Sequence, residues 1–117
     1  MKHEARKYLF DILEAIDDIR EFTRGIKLFS DFDKSKIVRT AVERKLAIIG
    51  EAIVKLKKAD SKIIIVNAEK IINLRNRLVH SYDEIDHEII WGIVKRNLNG
   101  LRKEVANRLI EINKERK

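Results

Sequence analysis

No proline occurs anywhere in the 117 residues, and glycine occurs only 4 times. Proline removes a backbone donor and clashes with the preceding helical turn, and glycine carries a large entropic cost in a helix. A chain almost free of both, and rich in Glu, Lys, Arg, Leu and Ala, is predicted to be all-α. Hydrophobic residues make up 44% and charged residues 38%, enough apolar mass for a core and too much for a disordered chain. No Gly-, Pro- or Ser-rich stretch divides the sequence, so residues 1–117 are expected to form one domain.

Several function classes drop out at once. Cys is absent, which removes disulfide scaffolds, Cys-ligated zinc and thiol nucleophiles. The longest apolar runs, at Leu46 to Ile49 and Ile63 to Val66, are 4 residues long, against the roughly 20 needed to cross a bilayer. Acids interrupt the apolar positions of the first residues, so no secretion signal is expected and the chain is read as cytoplasmic, with no membrane partner. The sequence has no Gly-rich phosphate loop, no metal-ligand spacing among its 3 His and no Ser in a nucleophile elbow, so neither cofactor nor metal is expected. The 26 Lys and Arg outnumber the 19 Asp and Glu, a net charge of +7. That balance suits an anionic partner such as RNA, and many proteins that bind none share it.

Apolar periodicity divides the chain into four main helices. Ala5, Leu9, Ile12, Leu13, Ile16, Ile19 and Phe22 recur at steps of three and four and predict a helix from about Glu4 to about Thr23. A connection with turn residues and an apolar anchor, Phe29 and Phe32, follows to Lys34. The second helix, about Lys34 to Lys58, carries the row Val42, Leu46, Ile49, Ile53 and Leu56 and a second row of Ile37, Ala41, Ile48 and Ala52. Two rows suggest two partners, the domain's own core and a second subunit. Gly50, mid-helix at a cost of about 1 kcal/mol relative to Ala, suits a place where another backbone approaches closely. The stretch from residue 59 to 67, which includes KIIIV, is compatible with a strand, an extended connector or a first helical turn. A third helix is predicted from about Asn67 to His80. A long fourth follows, N-capped by Asp83 or Asp86, with Ile90, Val94, Leu98, Leu101, Val105, Leu109 and Ile112 in one stripe. Four main helices, with room for a short fifth, pack most simply as an antiparallel bundle.

His3 and His87 read as solvated surface residues. His80 has different company: RNRLVHSY places Arg75, Asn76, Arg77, His80 and Tyr82 within eight residues. Cleaving RNA without a metal needs a base for the 2′-hydroxyl proton, an acid for the leaving 5′-oxygen and positive charge on the phosphorane. His80 can do either proton job near neutrality. Arg75 stays charged and offers a planar fork to phosphate oxygens. Asn76, one turn before His80, is placed to orient the imidazole or contact substrate, and Glu51 to hold Arg75. Residues five apart lie roughly 140° apart around a helix, so one straight helix cannot aim Arg75 and His80 at one phosphate. Either the helix ends before His80, or two copies complete one site across a twofold interface. Arg77, and Lys55 and Lys58 from the basic cluster ending the second helix, are candidate RNA contacts, the plainer reading being a solvated face. In the competing view Arg75 and Glu51 are an ordinary ion pair, His80 a satisfied helix-end histidine and Tyr82 a core ring.

The motif Arg75, four residues, His80, one residue, Tyr82 resembles the signature of the HepT-like ribonuclease toxins of the HEPN superfamily. IIGEA at Ile48 to Ala52 is similar to that family's second-helix pattern, YDEID at Tyr82 to Asp86 to the stretch after the motif, and Trp91 to an aromatic near the start of the last helix. The resemblance covers essentially the whole chain. Relatives often carry Pro and Trp before the third helix, where this chain has KIIIVNAEKI. The resemblance implies a HEPN-like homodimer with Arg75 and His80 as catalytic residues, acting as a metal-independent endoribonuclease toxin on RNA such as tRNA or mRNA. It further implies a cognate minimal nucleotidyltransferase antitoxin that transfers AMP to Tyr82. A non-catalytic helical dimer binding nucleotide, RNA or a partner protein through the same cleft is the alternative.

Overall fold

The computed structural model describes residues 2–80 and 85–115, the side chains of Lys2, Val79, His80 and Glu115 excepted. All regular structure among the described residues is helical: α1 (Lys2–Phe22), α2 (Phe29–Lys34), α3 (Lys36–Ala59), α4 (Glu69–His80), α5 (His87–Gly92) and α6 (Leu98–Glu115). A 3₁₀ turn, Val66–Ala68, leads into α4, and a π-helical turn, Ile93–Asn97, joins α5 to α6. The four predicted helices are therefore present, the last of them broken in two. Among the described residues no helix is long and apolar enough to cross a membrane.

Helix α1 packs between α3 and α6. Its buried face, Leu9, Ile12, Ile16 and Ile19, meets the row Val42, Leu46, Ile49 and Ile53 of α3 and the row Leu101, Val105 and Leu109 of α6 in one core cluster. Polar links at the rim show the chain direction. Asp18 pairs with Lys45 and Asp17 with Arg102, while Lys7 and Asp11 face Glu51 and Lys55, and Ala5 lies near Ile112. Helix α1 thus runs antiparallel to both neighbours. Arg102 holds Asp17 bidentately, at 2.9 and 3.2 Å, and that hydrogen bonding keeps the Asp17 carboxyl below its usual range. Helix α4 packs on the far side of α3. The second row of α3 is only partly covered within one chain: Ala52 is buried, Ile48 half-buried and Ile37 exposed.

Four local features depart from periodicity alone. The connection after α1 contains a short helix, α2, because Phe32 is fully buried with its ring centroid 4.9 Å from that of Trp91. The KIIIV stretch is an extended connector in which Ile63 and Ile65 are buried and Ile64 and Val66 exposed, the alternation of a strand without a partner. Its far end is held by Glu104 of α6, whose carboxylate accepts from the Val66 and Asn67 backbone N–H groups and the Asn67 side-chain amide. The π turn lets Ile93 and Leu98, five residues apart, both face the core, so Ile93 takes the buried place expected of Val94.

The fourth feature corrects the surface assignment of His87. Its ring is half-buried, with Nδ1 2.6 Å from an Asp33 carboxylate oxygen and Nε2 3.4 Å from Arg39 Nη1, and the Asp33 carbonyl accepts from Arg39 Nε at 3.0 Å. His87 therefore links α5 to α2 and α3. Asp86, one of the two expected caps, closes α5 by accepting from the Glu88 backbone N–H at 2.9 Å; the other, Asp83, lies outside the described residues.

Candidate active site

Gly50 lies against α4. A Cβ built there would fall 2.4 Å from the Cβ and 2.8 Å from the Cγ of Arg75, and 3.4 Å from the Ile71 carbonyl oxygen. Only glycine leaves room for α4 at this depth, as its mid-helix cost suggests. The close approach brings the stem of Arg75 against α3 directly beside Glu51, the residue after Gly50.

Arg75 is locked there. Its Nε donates to Glu51 Oε1 at 2.8 Å, its Nη2 donates to the same oxygen, and its Nη1 donates to the Asn76 side-chain oxygen at 2.9 Å. A guanidinium carries five N–H donors, so three are committed and two remain. The pair is not a fully buried one, since the Arg75 side chain is 19% exposed and that of Glu51 41%. The Arg75 hydrogen bond holds the Glu51 carboxyl below its usual range; burial opposes this, and the charges of Arg75, Lys55 and Lys58 assist it. Glu51 is thus the carboxylate that accepts from the Arg75 fork.

Lys55 and Lys58 follow Glu51 by one and two turns of α3, are exposed, and make no ion pair among the described residues. Arg77 lies apart from Arg75. It lines a groove between α4 and the α5–π turn, together with Lys70, Asn73, Arg96 and Asn97. The structure therefore joins Glu51, Arg75 and Asn76 in one network, places Lys55 and Lys58 beside it, and sets Arg77 in a different groove.

Helix α4 continues to His80, so the helix does not end before the histidine. Of the two geometries open from sequence, the one requiring an earlier helix end is overturned. The His80 side chain and Tyr82 lie outside the described residues, as does any arrangement of them with Arg75. Among the described residues no group of three or more His, Asp or Glu is placed to hold a metal ion. Lys70, Asn73, Arg96 and Asn97, which line the Arg77 groove, were not singled out by sequence, although Gly92, four residues before Arg96, was a visible cue for close contact.

The sequence model of the family described as Ribonuclease HepT-like matches residues 12–108. A Methanocaldococcus jannaschii protein bearing the name "Putative RNase" is 38% identical over 105 residues, covering 89% of this chain and 95% of that protein. A second of the same name and organism is 37% identical over 112 residues, with 95% and 92% covered. A Thermococcus cleftensis protein named "Probable ribonuclease HepT" is 36% identical over 103 residues, with 87% and 93% covered.

Proposed function

The chain belongs to the HepT-like ribonuclease family, and from that membership we propose that it is the toxin of a toxin–antitoxin pair, a metal-independent endoribonuclease acting as a homodimer of a single HEPN-like domain. The 2′-hydroxyl oxygen attacks the adjacent phosphorus and the P–O5′ bond breaks, leaving a 2′,3′-cyclic phosphate and a free 5′-hydroxyl. His80 takes the 2′ proton or delivers one to the departing 5′-oxygen. Arg75 stabilises the charge on the phosphorane through its two uncommitted N–H donors.

The observation that carries this reading is the arginine itself, held by Glu51 and Asn76 and given its place by Gly50. A fixed fork aimed by neighbours needs no reorganisation when charge develops. Glu51 and Asn76 are the positioning residues, and Lys55, Lys58 and Arg77 attract the RNA backbone. The unbroken run of α4 through His80 favours a composite site built by two copies, because Arg75 and His80 stand five residues apart on one helix. The incompletely covered second row of α3 offers apolar surface for that association.

Regulation in this proposal falls on Tyr82, two residues beyond the end of α4. A cognate minimal nucleotidyltransferase antitoxin transfers AMP from ATP to the Tyr82 hydroxyl, releasing pyrophosphate, and the bulky anionic adduct blocks and repels the RNA.

The test incubates the purified chain and its His80→Ala variant with end-labelled RNA in excess chelator and analyses the product termini. Cyclic phosphate ends from the wild type alone support the assignment. Equal loss of RNA affinity and turnover in the variant, or no cleavage by either protein once mass spectrometry has excluded an adduct on Tyr82, moves the reading to a non-catalytic binding module. Tyr82→Phe is expected to cleave and to escape nucleotidyl transfer; modification of that variant would mean a different acceptor.

A further inference from the structure

A groove of about 360 Å³ runs between α4, α5 and the π turn, on a different face of α4 from the one that meets α3. Its rim is cationic, with Lys70 and Arg77 from α4 and Arg96 from the π turn, and among the described residues none of the three forms a hydrogen bond or ion pair. Three exposed cations converge on a concavity whose lining holds no carboxylate, a local excess of positive charge that suits an anionic ligand. Structural cations of this chain behave differently, since Arg75, Arg102 and Lys45 all hold acids.

The placement of Arg96 is built in. A Cβ at Gly92 would lie 2.4 Å from Arg96 Nη2 and 3.2 Å from its Cζ, so the guanidinium folds back over the helix where a side chain is missing. The irregular turn that follows, Ile93–Asn97, is a π turn, a feature often found at functional sites. Behind the cations Ile89, an exposed large hydrophobic residue, supplies an apolar wall, with the nearly buried Leu74 and Ile93 beneath it. Asn73 and Asn97 add donors and acceptors at the edge. Arg77 also borders a second recess, lined by Ile85, Asp86 and His87, so the groove leads toward the end of α4, where His80 lies.

We propose that this groove holds a nucleotide of single-stranded RNA flanking the cleaved bond, with Arg77 and Arg96 on phosphate oxygens, the base against Ile89, and the asparagines at its edge. Phosphate contacts explain the cations. The exposed Ile89 wall suits an unstacked base, which a single strand supplies and a duplex hides. The volume fits one nucleotide, near the lower end of small-ligand sites. This inference rests on the ribonuclease reading for its substrate class.

The experiment measures binding of the full chain to a labelled, fully 2′-O-methylated single-stranded RNA, whose blocked 2′ oxygens prevent cleavage. Wild type is compared with Arg77→Gln/Arg96→Gln, Gly92→Ala and the remote control Lys103→Gln. The double variant is expected to bind on the order of tenfold more weakly and to lower the slope of log affinity against log salt by about 1.4. Gly92→Ala is expected to weaken binding severalfold with every charge retained, because only the far end of Arg96 must move. Lys103→Gln should change affinity less than twofold. The proposal is overturned if the wild type does not bind the oligonucleotide, if the groove variants bind as the wild type does, or if Lys103→Gln costs as much per charge as the double variant. Cleavage of unmodified RNA is scored separately: binding through the groove without cleavage refutes the ribonuclease reading and leaves the groove standing.

Discussion

Replacing Gly50 with Ala tests the contact on which the candidate site depends. In an exposed helix this change stabilises by about 1 kcal/mol, because Ala is the better helix former. Here the new methyl would sit 2.4 Å from Arg75 Cβ and 2.8 Å from its Cγ, and these atoms belong to the stem of the side chain, which cannot swing aside as a tip can. Reaching an ordinary carbon–carbon separation requires α4 to retreat by about 1 Å at this point. Overpacking of this kind costs about 1–3 kcal/mol, which leaves a net destabilisation of about 0–2 kcal/mol after the helical gain. The melting temperature should fall by up to about 8 °C. The effect on chemistry is larger than the effect on stability. Arg75 Nε is 2.8 Å from Glu51, one residue from the substitution, so a retreat of that size breaks the hydrogen bond that aims the fork. A misplacement of about 1 Å in a catalytic group lowers turnover about 10²-fold. Thermal melts and cleavage of end-labelled RNA give the two readouts. A Gly50→Ala protein that melts above the wild type and cleaves at the wild-type rate would refute the close approach of α3 and α4.

Three further outcomes follow from single interactions. The Glu51 carboxyl has an ordinary value of 4.5 and is held lower by Arg75, so its contribution to stability is present in full above the unfolded value and lost as pH falls through the lower folded value; the wild type should therefore lose melting temperature more steeply than Glu51→Gln below about pH 5, by a small margin because the pair is partly exposed, and parallel curves would count against the link. Phe32→Ala removes a fully buried ring packed at a tilt against Trp91 and should cost about 3–5 kcal/mol in chemical denaturation; a loss under about 1 kcal/mol would mean that α2 is not anchored. Glu104→Ala strips three hydrogen bonds from the 3₁₀ turn that leads into α4, and amide exchange at Val66 and Asn67 should quicken by the equivalent of about 1–2 kcal/mol while α3 amides stay unchanged.

The parts legible in the sequence are those set by neighbours within a turn or two of helix. The stripes of α1 and α3 required only the helical period, and the cost of Gly50 mid-helix already implied a second backbone at that place. The Glu51–Arg75 link, across 24 positions, lies beyond that reach and was open only because the two residues occur in patterns that resemble one family. What escaped depends on partners far apart in the chain. His87 read as a surface residue because Asp33, its acid, is 54 positions away, and the KIIIV stretch stayed ambiguous because its anchor, Glu104, is 38 positions from Val66. The π turn was hidden for a different reason: Ile93 and Val94 are both apolar, so the stripe could be drawn through either, and only packing selects Ile93.

Helix α4 serves two faces, and a glycine on a neighbouring element sets the position of an arginine at each. Gly50 meets the root of Arg75, and Gly92 meets the tip of Arg96. The difference matters physically. A root is fixed by the backbone of its helix, so filling the space at Gly50 must move α4 and disturb stability and site together. A tip is free to turn, so filling the space at Gly92 displaces one guanidinium and leaves the core unstrained. The two substitutions therefore separate the roles assigned to the two arginines. Gly50→Ala should lower turnover on RNA that still binds, since the proposed function puts Arg75 on the phosphorane. Gly92→Ala should lower affinity without any fall in melting temperature, which the better helix former raises by up to about 4 °C, since the proposal puts Arg96 on a flanking phosphate. Identical profiles for the two variants would contradict that division of labour, and equal melting losses would contradict its physical basis.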